Sequence, residues 1–195
     1  NLQSDERKSE DTIAKYRGLH FRSPVYELSG QLEFNFLEYQ PGNPLYTWTP
    51  FIYAGISLFH YNPQAENNNG EWVGLQELGT EGQGTTTYPD RKKYSLIQFS
   101  IPMGGGVKIA INESFNIILE YGARKTFTDY LDDVSTTYPG DKLMDMSPAS
   151  IEMSDPSGQH MVDDQRGDPD KKDWYSFVGI TLSFKLNNNT EGCDY

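Results

Sequence analysis

Few side chains in this chain could do chemistry, and their spacing argues against most of what they could do. The three histidines, His20, His60 and His160, sit in neither a HExxH helix nor a nucleophile-elbow context, so no zinc or serine hydrolase is spelled out. The remaining enzymatic arrangement is a rim site, in which His60 near the end of one strand would have to meet Asp129 near the end of another. Asp129, Asp132 and Asp133 carry the hard oxygen ligands Ca²⁺ prefers, but they lack EF-hand spacing and read as solvated loop acids. Gly79-Thr80-Glu81-Gly82-Gln83-Gly84 is glycine-rich, yet no strand-to-helix unit follows to make it a phosphate cradle. Arg166-Gly167-Asp168 matches an adhesion tripeptide and Asn188-Asn189-Thr190 a glycosylation sequon, both too short to carry a function. The single cysteine, Cys193, can form neither an internal disulfide nor a multi-Cys zinc site. No catalytic, cofactor-binding or metal-binding residue is therefore expected, and no cofactor.

The elements that would position any site follow a two-residue period. Five long alternating segments are legible, and helical spacing fits none of them comparably well. In the first, about 22 to 38, Tyr26, Leu28, Leu32, Phe34 and Phe36 share a face opposite Glu27, Ser29, Gln31 and Glu33. In the second, about 49 to 61, Ile52, Ala54, Ile56 and Leu58 oppose Phe51, Tyr53, Gly55, Ser57 and Phe59. The third, about 93 to 111, keeps Ile97, Phe99, Ile101, Val107, Ile109 and Ile111 in one register through Pro102 and three consecutive glycines. The fourth, about 115 to 131, sets Phe115, Ile117, Leu119 and Tyr121 against Asn116, Glu120 and Arg124. The fifth, about 173 to 186, sets Trp174, Val178, Ile180, Leu182 and Phe184 against Gly179, Thr181 and Ser183.

Strands of soluble sandwiches run to roughly 5 or 6 residues, whereas a tilted bilayer-spanning strand needs about 9 to 11. Segments of this length point to an all-β fold, a transmembrane antiparallel up-and-down β-barrel whose apolar face meets lipid. A soluble lipocalin-like barrel is the alternative, with its apolar face turned inward around a ligand. The net charge of −12 over 195 residues excludes a nucleic-acid partner, which would need a basic face. No run of apolar residues is long enough for a membrane-spanning helix.

Connections alternate between short and long, as in outer-membrane barrels. Residues 39 to 48, with Pro41, Gly42 and Asn43, and the tight turn Asn112-Glu113-Ser114 belong on the periplasmic side, where they are candidate docking residues. Residues 62 to 92 and 132 to 172 read as long external loops, the second with ten acids against four bases. Bacterial barrels have even strand numbers of at least eight, and an open sheet would leave backbone edges in lipid. Eight strands are thus expected in the intact protein, with the last five here. Residues 1–21 read as the remnant of an external loop, 22–186 as those five strands, and 187–195 as a periplasmic tail. Glu27, Glu33, Lys108, Glu120 and Arg124 fall on the inward face, where a narrow lumen favours a plugging network of charges.

Four stretches carry a resemblance: Gly79 to Gly84, the run Arg124-Lys125-Thr126-Phe127-Thr128-Asp129-Tyr130-Leu131-Asp132-Asp133-Val134-Ser135-Thr136-Thr137-Tyr138, Phe21 to Leu28, and Asp173-Trp174-Tyr175. Together, over about 17 to 186, they resemble the PorG family of outer-membrane barrels in the type IX secretion system. The resemblance implies an eight-stranded, non-enzymatic barrel in the bacterial outer membrane. Its implied partners, besides lipid, are a PorK-like ring lipoprotein and a PorN-like ring protein, which it helps to anchor.

Overall fold

The computed structural model describes residues 1–8, 10, 17–139 and 145–185. The tail 187–195, with Cys193 and the Asn188 sequon, therefore lies outside the described residues, as do Asp141 and Lys142. The fold is all-β with two antiparallel sheets and little helix. Among the described residues no helix is long and apolar enough to cross a membrane.

The larger sheet is made by the five alternating segments. Its strands are β3 (Val25–Asn35), β4 (Trp48–Tyr61), β7 (Ile97–Ala110), β8 (Phe115–Thr126) and β9 (Trp174–Phe184), neighbours in that order. Successive strands lie side by side, as up-and-down connections dictate. The sheet is open, with β3 and β9 as its edges, rather than closed into a barrel. Alternation governs burial on β4, while β3 is exposed on both faces along nearly its whole length. On β4, Phe51, Tyr53, Ser57 and Phe59 are buried, whereas Ile56 is 73% exposed. The same outward face carries Leu28 at 79%, Leu32 at 86% and Val178 at 80% exposed.

Four further strands are too short for a two-residue period to reveal. β1 (Leu2–Asp5), β2 (His20–Ser23), β5 (Gln64–Glu66) and β6 (Trp72–Gly74) form the second sheet in the order β1-β2-β5-β6. Its registers join residues far apart in sequence, such as Leu2 with Ser23 and Arg22 with Gln64. Pro24, which lacks an N–H, separates β2 from β3 where the alternation suggested one strand starting near residue 22. Two short helices accompany this sheet, α1 (Leu75–Leu78) and α2 (Pro148–Ser154). Ser147 caps α2 by accepting the Ser150 N–H at 3.1 Å, and Pro148 occupies its first turn. Thus 1–21, 62–92 and 132–172, read from sequence as loop, supply strands, helices and a small core of Ala65, Leu75 and Met153.

By internal packing the chain divides into two units. One, here the loop unit, comprises Asn1–Leu28, Ser57–Ser100 and Lys125–Trp174. The other, the sheet unit, comprises Ser29–Ile56, Ile101–Arg124 and the described residues from Tyr175 onward. Inside the sheet unit, Tyr53 lies over Gly104 and Gly122, where a Cβ would come within 2.6 and 2.2 Å of its hydroxyl. Any larger residue at either position would evict the ring.

Candidate functional site

Within the loop unit, Gly79 to Gly84 forms a tight turn rather than an anion cradle. Gly79 and Gly82 adopt φ of +66° and +82°, a region other residues enter only with strain, and the Tyr88 ring packs against Gly82. The turn drives Glu81 into the interior with no exposed surface. Its Oε1 accepts the Ser135 N–H at 2.8 Å and the Arg166 Nη1–H at 3.0 Å. Its Oε2 accepts the Thr136 N–H at 3.0 Å, the Thr136 hydroxyl at 2.7 Å and the Tyr130 hydroxyl at 3.3 Å. A buried carboxylate survives only with such saturation, because desolvating it otherwise costs several kcal/mol.

Asp133 is the second buried acid of the cluster, held at φ +69° and fully covered. It accepts the hydroxyls of Thr80 and of Tyr94, the latter at 2.6 Å, while its backbone carbonyl accepts Arg166 Nη1–H at 2.5 Å. Tyr94 in turn stacks on Tyr130 at 4.6 Å. Burial pushes the Asp133 carboxyl up to about 6, although Arg166 pulls against the shift. Burial, with the Asp173 charge added, pushes Asp132 up to about 7. Burial pushes Asp173 to about 6, opposed by the Leu131 N–H it accepts at 2.8 Å. Arg91 ties the cluster's edge, donating to the Glu81 carbonyl at 2.6 Å and the Thr137 hydroxyl at 2.7 Å.

This arrangement bears on several sequence readings. Arg166 is no adhesion residue, because it is buried against Glu81, whereas Asp168 is partly exposed and pairs with Lys171 at 3.0 Å. Asp129 and Asp133 are not solvated loop acids. The first accepts the Ser135 hydroxyl at 2.5 Å and the second is enclosed. Their oxygens are thus engaged, and among the described residues no three His, Cys, Asp or Glu side chains converge as a metal site. The rim pair does not form: His60 is on the exposed face of β4, 6.4 Å from Tyr26, while Asp129 is buried. Parity is the reason, since residues 59 and 61 take the inward positions. His20 accepts the Glu66 N–H through Nε2 at 3.0 Å, and His160 stacks on Tyr138 at 4.1 Å with Nδ1 2.9 Å from Asp155.

In the sheet unit, Glu33 and Lys108 form an ion pair across strands. Arg124 is buried, 3.4 Å from the Tyr53 hydroxyl and 4.7 Å from the centre of the Phe177 ring. Glu120 reaches over Gly179, 3.0 Å from where a Cβ would be, and Glu27 is exposed on β3. The five predicted inward charges are therefore distributed along the sheet rather than gathered at one point. The two predicted docking turns do come together. Glu113 packs over Gly42, whose φ is +92°, and Tyr39 donates to Asn116 at 3.0 Å. Asn43 shapes its turn by accepting the Leu45 N–H, and Asn112 does the same for Ser114 and Phe115. Pro41 and Ser114 complete this patch, and the Lys185 N–H at the end of β9 donates to the Ser114 carbonyl at 2.8 Å.

The buried cluster escaped sequence reasoning because a carboxylate in a polar loop carries no mark of burial. The available signal was the density of glycine around Glu81 together with an arginine in an acidic segment. A family model described as a domain of unknown function (DUF6089) matches residues 1–147. No curated protein and no solved structure matches the chain.

Proposed function

The chain belongs to the DUF6089 family, and we propose that it is a non-enzymatic β-barrel protein of the bacterial outer membrane that helps anchor a periplasmic secretion ring. One observation carries the membrane part: a five-stranded sheet presents a mostly apolar face outward, from Leu28 and Leu32 through Ile56 and Phe99 to Val178 and Ile180. In water a contiguous apolar surface of this kind marks an interaction or membrane face, whereas lipid satisfies it. Strands of 11 to 14 residues are long enough to cross. A lipocalin-like barrel would turn Ile52 and Ile56 inward, but Phe51, Tyr53 and Ser57 occupy the buried positions instead. The open edges β3 and β9 would be closed by three further strands, making eight and pairing every backbone group.

The anchoring part rests on the PorG resemblance and on the grouping of Pro41, Gly42 and Asn43 with Asn112, Glu113 and Ser114 at one end of the sheet unit. That patch is the docking face for PorK-like and PorN-like proteins of the type IX system. Tagging the protein, extracting outer membranes in mild detergent and identifying what copurifies tests the reading. Ring proteins should be recovered with the wild type and lost with Asn43→Lys/Glu113→Lys. Recovery from membranes without ring proteins would leave the barrel and refute the anchoring.

A further inference from the structure

The outward positions of the five long strands are almost free of charge. Among the described residues they hold a single Lys, Arg, Asp or Glu, and it is Lys125, next to the last residue of β8. Its Nζ stands 5.3 Å from the centre of the Trp174 ring, which opens β9. Both residues belong to the loop unit, as do the other rings exposed at this end of the strands. Tyr26 on β3 is 72% exposed, Phe99 on β7 64% and Phe127, just after β8, 54%, and His60 on β4 is 6.4 Å from Tyr26.

A lysine on a lipid-facing strand is costly at the bilayer centre and nearly free at its interface, and Trp and Tyr rings collect at that same interface. The one charge and the rings thus mark a single level, that of the headgroups. Among the described residues Lys125 has no carboxylate partner. The acids nearest it, Asp129 in sequence and Asp173 beside Trp174, are engaged by the Ser135 hydroxyl at 2.5 Å and the Leu131 N–H at 2.8 Å. Lys171 and Lys172 are also committed, to Asp168 at 3.0 Å and to the Pro169 carbonyl at 2.7 Å. An ammonium with three donors, beside an aromatic ring and without a counterion of its own, is complementary to an anionic oxygen. We propose, on the basis of the membrane reading above, that Lys125 and Trp174 bind the phosphate headgroup of an anionic phospholipid. The ammonium takes the phosphate oxygens, the indole rests at the level of the glycerol esters, and the acyl chains join those covering the apolar face.

The test reconstitutes the full chain in phosphatidylcholine vesicles, with Trp48→Phe and Trp72→Phe so that Trp174 alone reports. Lipids brominated near the headgroup or deep in the acyl chain quench a tryptophan according to its depth. Trp174 should be quenched more by the shallow bromines. Brominated phosphatidylglycerol, added as a minor component, should quench as though enriched about fivefold over brominated phosphatidylcholine, the scale of one lysine at a charged membrane surface. Lys125→Gln should keep the shallow depth and lose the enrichment, Lys125→Arg should retain both, and millimolar inorganic phosphate should not compete. Stronger quenching by deep bromines, equal quenching by the two headgroups, enrichment that survives Lys125→Gln, or competition by free phosphate would each overturn the headgroup site while leaving the barrel in the membrane. No quenching by any lipid would overturn the membrane reading, and the site with it.

Discussion

Both units bury charged groups, but they organise them differently. In the sheet unit the apolar side chains Leu32, Ile56 and Val178 point out, and Arg124, Tyr53 and the Glu33–Lys108 pair point in. In the loop unit the interior is organised around a charged hub, Glu81 with Arg166 and Asp133, and the apolar core is small. The first is stabilised by backbone ladders and by what lies against its outer face. The second is held by hydrogen bonds that exist only when every partner is in place. A perturbation at the hub should therefore act locally and strongly, and one on the outer face should act only where something covers that face.

The largest effect is expected at Arg166. Replacing it with Met leaves Glu81 and Asp133 buried without their cation and should cost the loop unit about 3 to 5 kcal/mol. Hydrogen exchange should show lost protection in 62–92 and 132–139, with β4 and β8 still protected. If protection fell equally in both units, the division between them would be wrong in energetic terms.

Next comes the outer face. Ile56→Lys should cost about 2 to 4 kcal/mol in refolding from denaturant into lipid or detergent if that position faces a bilayer. A solvated surface position would move by no more than about 0.5 kcal/mol. The comparison sharpens if Ser57→Lys, one residue along and buried beside Ser100 at 2.6 Å, is destabilising in either medium.

The response to pH separates groups within the loop unit. The Asp133, Asp132 and Asp173 carboxyls lie at about 6, about 7 and about 6, above their ordinary value of 3.8. The folded state then holds protons more tightly than the unfolded chain, so the loop unit should lose stability as pH rises from about 4 to 7. Asp5 is opposite: Arg7 holds its carboxyl down to about 2, so its contribution is present above 4 and fades as pH falls toward 2. Asp133→Asn should reduce the first dependence, leaving the part due to Asp132 and Asp173, and leave the second unchanged, measured by the pH profile of local exchange in 1–28 and 125–139.

Much of the sheet could be read directly. Phe51, Tyr53, Ser57 and Phe59 against Ile52, Ile56 and Leu58 display on their own which face is which, because side chains alternate along any extended strand whatever it packs against. The same rule set Glu33 and Lys108 on one face, where they form an ion pair, and local turn chemistry marked Gly42, Asn43 and Asn112. The hub obeyed no local rule. Glu81 and Arg166 are 85 residues apart, and nothing near either one distinguishes a solvated charge from a buried one. β1, β2, β5 and β6 have three or four residues each, too few for a period, and their pairing is decided by partners such as Ser23 for Leu2. Sequence alone determined the long strands, their faces and their turns, since these follow from the backbone's own repeat. Only tertiary structure decided that the acidic loops fold inward around a charge, because burying a charge depends on donors that arrive from elsewhere in the chain.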